Sequence, residues 1–299
     1  MSSLTTSAIS NDFSATRMHK KLPVLTNEAG WRCQGNLWSN LTDVCNLLKI
    51  PAPNYSRDDE ALFQHLRFKA GQRIHTIGQH FESLFIVNSG FLKTVLIDEY
   101  GSEQVLSFPM KGDLLGIDGI HAGQHASETA ALSECDIIVL PYKTFSALGR
   151  THVELEQVMF SVMSRELVRE QIMIGMLSAL SAEAKVARFL TNLAERFAQL
   201  GYSGKIFNLR MTRHEIGSYL GLTLETVSRT LSGFNDLGLI TVDQREIGII
   251  DPLALKTLRR LPPAKSRKKM AEQVSERVSA LVSKNLLPQW SKEVAPALN

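Results

Sequence analysis

MTRHEIGSYLGLTLETVSRTLSGFNDLGLI, Met211 to Ile240, is the stretch that decides the fold of the C-terminal half. It predicts two short helices joined by a tight turn at Gly221. A T-x-x-E capping box formed by Thr212 and Glu215 starts the first helix, because each side chain can satisfy a free backbone N–H of the first turn. Thr223 is placed to cap the second helix. The pattern is typical of a helix-turn-helix.

The second helix of this stretch has a predicted inner and outer side. Three apolar residues recur at helical spacing and indicate the buried side: Val227, Leu231 and Phe234. Glu225, Ser228 and Arg229 then point outward near the N-terminal end, which is the end that a recognition helix places in the major groove of DNA. Arg229 can contact guanine O6 and N7, and Glu225 can accept from a cytosine amine.

Two interpretations of this outer side stay open on the residues alone. It is either a base-reading surface or an ordinary solvated helix face. The predicted set of DNA-contacting residues is Glu225, Ser228, Arg229, Thr212, Arg213, Thr223 and Thr226. After Gly238 ends the helix, LITV–DQRE–IGII predicts a β-hairpin wing.

The middle of the chain predicts an antiparallel β-roll or barrel. From about Phe68 to Pro141, the short β-rich runs RIHTI, SLFIVN, FLKTVLI, EQVLSF, ETAAL and CDIIVL alternate with glycine-bearing turns. The fold class is therefore α+β. Predicted boundaries are 1–55 for a loosely structured N-terminal extension, 56–150 for the roll, 151–181 for a long helix, 182–252 for the winged helix-turn-helix and 253–299 for a basic tail.

A heptad-like stripe on the long helix predicts a dimer interface, with packing inside one subunit as the alternative. It comprises Phe160, Met163, Leu167, Glu170, Ile174 and Leu177. Glu170 is the exception, because an ionised carboxylate in a seam costs desolvation unless it is paired. Either it keeps dimerisation marginal, so that a signal can tip it, or Arg169 of the facing helix neutralises it.

Composition limits the class of protein. The chain has 299 residues, 44% hydrophobic and 21% charged, enough for two domains with cores of their own. Neither a membrane-spanning run nor an apolar signal core is expected, which predicts a cytoplasmic protein. Of the net charge of +3, the segment after Pro252 carries ten Lys and Arg against three acids, a balance of +7. A tail helix over about Arg267–Leu287 could strengthen phosphate contacts, or be a solvated segment.

By these residues the chain resembles the CRP/FNR superfamily (cyclic-AMP receptor protein and fumarate–nitrate reduction regulator), within it the FNR-like branch. The resemblance covers about Leu66–Asp251. It is strongest in MTRHEIGSYLGLTLETVSRTLSGF and is also visible in SLFIVNSGFLKTVLIDEYGSEQVLSF, KGDLLGIDGIHAGQHAS and AERFAQLGYS. It implies a homodimeric regulator of transcription whose Glu225, Ser228 and Arg229 read each half of a palindrome resembling TTGAT–N4–ATCAA.

The same resemblance implies a contact with RNA polymerase through an exposed turn of the roll, Asp98, Glu99, Tyr100 and Gly101. The alternative to a DNA-binding regulator is a ligand-binding module that acts through protein partners and uses its helix-turn-helix only structurally. The direction of regulation, activation or repression, depends on promoter position and is not encoded in these residues.

Departures from the family pattern predict which ligands are absent. Cyclic-AMP binders of the family place a glutamate after the G-D-x-x-G turn and an arginine before the next serine. The matching positions here are Ile117 and Ala126, with Ser127 retained. Without that arginine the nucleotide phosphate loses its charged partner, so cyclic-AMP binding is not expected.

An iron–sulfur cluster is not expected either, because four thiolates are the normal requirement and the chain has three cysteines. Cys33 and Cys45 are too far apart to resemble C-x-x-C, and Cys135 precedes the position of the family's roll cysteine, here Ile138. The three thiols are either structural or a redox switch. The effector is therefore left open.

Other chemistry is weakly indicated. His121 and His125 have an H-x3-H spacing, but they are expected in a glycine-containing loop as exposed polar residues rather than as metal ligands. Neither a phosphate-binding P-loop, a nucleophile elbow nor an H-E-x-x-H sequence is present. No metal site and no enzymatic activity are predicted.

Overall fold

The structure, a computed structural model, describes residues 37–49, 62–151 and 153–261. The N-terminal part contains the strands β1 (Trp38–Asn40), β2 (Leu62–Phe68), β3 (Arg73–His75), β4 (Ser83–Ser89), β5 (Leu92–Ile97), β6 (Glu103–Ser107), β7 (Leu114–Leu115), β8 (Glu128–Ala131) and β9 (Cys135–Pro141). Its helices are α1 (Leu41–Leu47), α2 (Gly119–Ala122) and α3 (Tyr142–Thr151).

These strands form two antiparallel sheets, ordered β1-β2-β9-β4-β7 and β3-β8-β5-β6. The predicted β-roll is therefore confirmed, and each of the six predicted runs contains a strand. β2 was missed, because its sequence LFQHLRF carries a histidine and an arginine among its apolar residues.

Strand β4 explains how the roll is layered. Phe85 and Val87 pack between the two sheets, whereas Leu84 and Ile86 pack on the outer face against α1, α3 and the long helix that follows. Since alternate residues of a strand face opposite sides, both sides of β4 must be apolar. The continuous run SLFIV is the sequence consequence of burial on both faces.

The expectation of a loosely structured extension is wrong for the described residues 37–49. Strand β1 pairs antiparallel with β2, and α1 buries Leu41, Val44 and Cys45 against the roll. Asn40 and Asp43 form a capping box at the start of α1. The roll therefore includes residues before the predicted boundary at 56. Residues 1–36, with Cys33, lie outside the described residues.

A buried polar chain fixes β1 to the sheet. His65 Nε2 lies 2.8 Å from Ser39 Oγ, and His65 Nδ1 lies 2.9 Å from the Asp136 carboxylate. Asn88 donates to the same carboxylate at 2.7 Å. The pKa of Asp136 is lowered, because the hydrogen bonds from His65 and Asn88 outweigh the opposing effect of burial. Four strands, β1, β2, β4 and β9, are thus joined by one hydrogen-bonded network.

The long helix α4 (Val153–Ala179) has two distinct sides. Val162 is buried against the roll, and Met173 and Met176 pack against the C-terminal core. On the other side Phe160 is 62% exposed, Leu167 55% and Ile174 67%, all within the predicted stripe. Glu170 is exposed as well, and Met163 and Leu177 are half-buried. The single chain therefore leaves an apolar stripe uncovered along α4.

The C-terminal part is a helical domain with a small sheet. It consists of α5 (Ala182–Gln199), β10 (Ile206–Asn208), α6 (Arg213–Leu220), α7 (Leu224–Asp236), β11 (Ile240–Asp243), β12 (Glu246–Ile249) and α8 (Pro252–Thr257). The sheet has the order β10-β12-β11, so the predicted wing hairpin is confirmed and gains a third strand. The tail helix predicted over Arg267–Leu287 lies outside the described residues.

One apolar core continues from the roll into the C-terminal domain. Phe108 of the roll packs on Phe189 of α5 and on Tyr219 of α6, with ring centroids 6.1 and 5.2 Å apart. The carboxylate of Asp113 in the roll accepts a hydrogen bond from Arg169 of α4 at 3.0 Å and pairs with Arg196 of α5. Polar and apolar contacts together fix the orientation of the domain on the roll.

Candidate nucleic-acid interface

Helix α6 begins at the predicted capping box. Glu215 N–H donates to Thr212 Oγ1 at 3.1 Å, and Thr212 N–H donates to the Glu215 carboxylate at 2.7 Å. The pKa of Glu215 is lowered, since hydrogen bonds from Thr212 and Lys93 outweigh burial. Two backbone donors that a helix start leaves free are thereby satisfied. Thr212 is exposed and Arg213 is half-buried.

The turn between α6 and α7 depends on two glycines. Gly221 has φ 62°, the left-handed conformation in which glycine is favoured, and it ends α6. A Cβ on Gly217 would lie 2.7 Å from the carbonyl oxygen of Leu222, so only glycine lets the turn close back on α6. Leu222 N–H donates to the Gly217 carbonyl at 2.8 Å. The sequence fixes the angle between the helices here.

Helix α7 presents the predicted face to solvent. Its N-cap Thr223 accepts from Thr226 N–H at 3.2 Å. Val227, Leu231 and Phe234 are buried, which confirms the predicted inner side. On the outer side Glu225 and Arg229 are exposed and Ser228 is half-buried. Among the described residues Arg229 makes no hydrogen bond or ion pair, so its guanidinium is free to meet a ligand.

Electrostatics keep Glu225 ionised. Hydrogen bonds from its own backbone N–H and from Thr223 lower the pKa of Glu225. An anionic carboxylate is a hydrogen-bond acceptor only, which is the property a cytosine amine requires. Close by in the helix, the cationic Arg229 offers five donors in a planar fork. The face therefore combines one acceptor and one donor group on adjacent turns.

Strand β6 of the β5–β6 hairpin contacts α6 of the helix-turn-helix. Ser218 of α6 donates to the Glu103 carbonyl at 3.1 Å and accepts from Val105 N–H at 2.8 Å. Lys93 of β5 lies 3.0 Å from Glu103 and 3.1 Å from Glu215. These ion pairs raise the pKa of Lys93 against the lowering effect of its burial. Helix α6 is thus held on the roll while α7 faces outward.

At the tip of the same hairpin lies the predicted polymerase turn. Asp98 accepts from the N–H groups of Tyr100 and Ser102, and Gly101 has φ 79°. The Tyr100 side chain is 88% exposed. The turn is therefore shaped by its own hydrogen bonds and projects an aromatic side chain away from the fold.

The positions expected to hold a nucleotide are arranged differently from a charged phosphate site. Ile117 packs against the outer core of the roll, Ala126 is exposed and Ser127 is buried. Ser127 donates through its hydroxyl to Asp118, a residue that the sequence reasoning did not single out. No group of three or more His, Cys, Asp or Glu able to hold a metal occurs in the part of the chain that the structure describes.

Comparison with known proteins matches the roll and the C-terminal domain to two domain families. Residues 65–152 match the cyclic nucleotide-binding domain, and residues 184–258 match the Crp-like helix-turn-helix domain. The chain is 37% identical over 218 residues to the transcriptional regulatory protein btr of Bordetella pertussis, covering 73% of this chain and 90% of that protein. The chain belongs to the CRP/FNR family of transcriptional regulators.

Two further similarities agree with this assignment. The fumarate and nitrate reduction regulatory protein of Escherichia coli K12 is 40% identical over 219 residues, which cover 73% of this chain and 88% of that protein. In fold, the chain is similar to FixK2 from Bradyrhizobium japonicum, with a TM-score of 0.61 and 22% identity over 68% of this chain and 100% of that one. The resemblance inferred from sequence is confirmed.

In this CRP/FNR-family chain the histidine prediction needs correction. His121 lies in α2 and is exposed, as expected, but His125 is buried. The His125 ring stacks on His75 with centroids 4.0 Å apart, and its Nδ1 lies 3.3 Å from Asp118. The glycines around His125 suggested an exposed loop, whereas Phe81 and Phe85 cover it.

The two described cysteines are free thiols in the core. Burial raises the pKa of both Cys45 and Cys135, which keeps them protonated and poorly nucleophilic at neutral pH. This environment favours the structural interpretation of these two thiols.

The structure weakens the interpretation in which Arg169 of a facing helix neutralises Glu170. Arg169 is already paired with Asp113 and Glu166 of its own chain. None of the described helices is long and apolar enough to cross a membrane.

Proposed function

We propose that the chain acts as a homodimer that reads an FNR-type palindrome resembling TTGAT–N4–ATCAA, one half-site per α7. The observation that carries the proposal is the outward face of α7, where Glu225 and Arg229 are exposed at the N-terminal end of a helix whose other side is buried. Arg229 contacts guanine, Glu225 accepts from a cytosine amine, and Ser228 contacts a base or phosphate. Contacts with the DNA backbone are assigned to residues at the starts of the two helices: Thr212 and Arg213 of α6, and Thr223 and Thr226 of α7.

The uncovered stripe on α4 supports the homodimer. Burying a fully exposed side chain of this size contributes about 1.5–3 kcal/mol, and because Phe160, Leu167 and Ile174 are only 55–67% exposed, each would gain roughly half of that. Two copies of α4 packed along this stripe cover the exposed apolar area by two-fold symmetry, as in a coiled coil. Glu170 in the seam weakens the pairing of the two helices, because none of the described ion pairs neutralises its carboxylate. The dimer then presents two α7 helices about 34–36 Å apart, one DNA turn.

Fluorescence anisotropy on labelled duplexes tests the base contact. Arg229→Ala is expected to lose about 1–3 kcal/mol of binding to the palindrome and to relax specificity at one guanine per half-site. Arg188→Ala, which removes an exposed arginine from α5, is the matched control and keeps the discrimination. Equal weakening on specific and random duplexes would assign Arg229 to a phosphate instead.

Sedimentation velocity tests the stripe. Ile174→Glu places a second carboxylate in the seam and is expected to shift the protein to the monomer. Ser161→Glu adds the same charge to an exposed position about 100° around the helix from Phe160 and is expected to leave the dimer intact. A dimer that survives Ile174→Glu means that another surface pairs the subunits.

We further propose that the regulator uses neither an iron–sulfur cluster nor cyclic AMP, and that the Asp98–Gly101 turn contacts RNA polymerase. The support is the burial of Cys45 and Cys135 and the absence of the phosphate-binding arginine at Ala126. Native mass spectrometry of protein purified with and without air should give the mass of the bare chain in both cases. Tyr100→Ala should reduce transcription from a target promoter without changing operator affinity.

A further inference from the structure

Several hydrogen-bond donors converge on one carboxylate of the sensor domain, that of Asp118. The Asp118 Oδ2 atom accepts from Ala126 N–H at 3.0 Å, from Ser127 N–H at 2.8 Å and from the Ser127 hydroxyl at 2.8 Å. The other oxygen, Oδ1, lies 3.3 Å from His125 Nδ1. Two consecutive backbone N–H groups with a hydroxyl form a concave oxyanion site. The occupant of this site is a side chain of the protein itself.

The site is partly covered by the fold. Ser127 is 5% exposed and His125 is 3% exposed, whereas Ala126 is exposed and the Asp118 side chain is 27% exposed, so solvent reaches one side of the site. His75 stacks behind His125, and its Nε2 is buried without a hydrogen-bond partner in the described part of the chain. The hydrogen bonds from His125 and Ser127 outweigh the effect of burial and hold the pKa of Asp118 well below its usual range. The occupant is therefore an anion at neutral pH.

Charge balance shows why an internal anion suits this site. An oxyanion taken from water into a buried position must be compensated by hydrogen bonds or a cation. Position 126 is an alanine and provides no cation. The Asp118 carboxylate is instead stabilised by the N–H groups of Ala126 and Ser127, the Ser127 hydroxyl and the His125 imidazole. A carboxylate tethered by the chain meets these donors without the entropy loss that a free ligand suffers on binding. It also fills the position into which a diffusible anion would have to fit.

We propose that Asp118 is a built-in anionic ligand of the sensor domain. Its carboxylate occupies an oxyanion site formed by Ala126, Ser127 and His125, and it closes that site to phosphate and carboxylate groups from solution. The segment between β7 and β8 is thereby held in one conformation without an effector. The binding part of this inference is independent of the proposed DNA-binding function, whereas its consequence for DNA affinity rests on that function.

Chemical rescue tests the site directly. Asp118→Ala removes the carboxylate and leaves the donors, so the variant should bind formate or inorganic phosphate saturably in calorimetric titrations, and its Tm should rise with the concentration of the anion. The wild-type chain should do neither. The double variant Asp118→Ala, Ser127→Ala lacks the hydroxyl donor and should bind the anion at least tenfold more weakly. Formate and phosphate in separate titrations distinguish a carboxylate-sized site from one that accepts a phosphate.

Asp98→Ala is the matched control. The Asp98 carboxylate also accepts two backbone N–H groups, from Tyr100 and Ser102 at 2.9 and 2.8 Å, but in an exposed turn. Its removal leaves no site with buried donors such as Ser127 and His125, so this variant should gain neither anion binding nor an anion-dependent Tm. Should Asp118→Ala fail to fold, Asp118→Ser also lacks the carboxylate, has a shorter side chain that leaves room for the anion, and is used for the same measurements.

The outcomes separate cleanly. A folded Asp118→Ala chain that ignores both anions overturns the proposal, as does wild-type protein that already binds phosphate through Ser127. Operator affinity is measured in parallel, and it should fall in Asp118→Ala and return with the anion that binds. Anion binding without a fall in operator affinity refutes the conformational part. If wild-type protein binds no palindrome, the proposed DNA function fails, while the anion titrations still decide the site.

Discussion

Replacing His75 by Gln tests the buried imidazole pair at the centre of the sensor domain. His75 is 1% exposed, and its Nδ1 donates to the Ser127 carbonyl at 3.1 Å. Burial, helped by repulsion from His125, lowers the pKa of His75 from 6.5 to about 4. The charge of Asp118 and the hydrogen bond to Ser127 act in the opposite direction and offset only part of this shift. The folded chain therefore holds His75 neutral at neutral pH.

The sign of the pH effect follows from this difference. An unfolded His75 takes up a proton below about pH 6.5, whereas the folded one does so only near pH 4. Between these values the unfolded state binds more protons, so the free energy of unfolding falls as the pH drops. From about pH 7.5 to about pH 5, this single group accounts for a loss of about 2 kcal/mol.

Urea unfolding at a series of pH values measures this loss. In His75→Gln the side-chain amide can still donate to the Ser127 carbonyl, but it does not titrate. The stability difference between wild type and His75→Gln should therefore shrink by about 2 kcal/mol between pH 7.5 and pH 5. His214→Gln, at an exposed histidine of α6, should follow the wild-type slope. Parallel pH profiles for wild type and His75→Gln would refute the reasoning.

Two local predictions concern the helix-turn-helix. Gly217→Ala should destabilise the C-terminal domain by about 1–3 kcal/mol, because the new Cβ meets the Leu222 carbonyl oxygen at 2.7 Å. Gly149→Ala in α3, where nothing lies within 4 Å, should be neutral or stabilising by up to about 1 kcal/mol, and thermal unfolding compares the two. Thr212→Ala removes the N-cap of α6 and should cost about 1 kcal/mol, whereas Thr212→Ser should retain most of it in the same assay.

The features that local sequence rules determine were predictable. The capping box, the Gly221 turn and the inner side of α7 follow from residues close together in the chain, and each was confirmed. The same holds for the β-runs bounded by glycines. Such features depend on hydrogen bonds and sterics within a few residues, so tertiary packing has little chance to change them.

Features that depend on distant partners were not predictable. The apolar run in β4 indicated a strand but not that α1 covers its outer face, because α1 is a single short helix from a distant segment of the chain. His125 looked like an exposed loop residue, since nothing in its neighbourhood in sequence reveals the rings of His75 and Phe81 that bury it. Asp118 was overlooked for the same reason, because only the fold brings its donors, Ala126 and Ser127, next to its carboxylate.

The carboxylate of Asp113 joins the roll to the long helix α4 and to the C-terminal domain. It accepts from Arg169 of the long helix and from Met110 N–H of the roll, and it pairs with Arg196 of the C-terminal domain. A displacement of Asp113 must therefore alter its contacts with both α4 and the domain that carries α7. Asp118 lies five residues further along, on the other side of the short strand β7 (Leu114–Leu115). If the proposal for Asp118 is correct, the occupant of the oxyanion site holds the chain just after β7, and β7 connects that point directly to Asp113 and its contacts with α4 and the C-terminal domain.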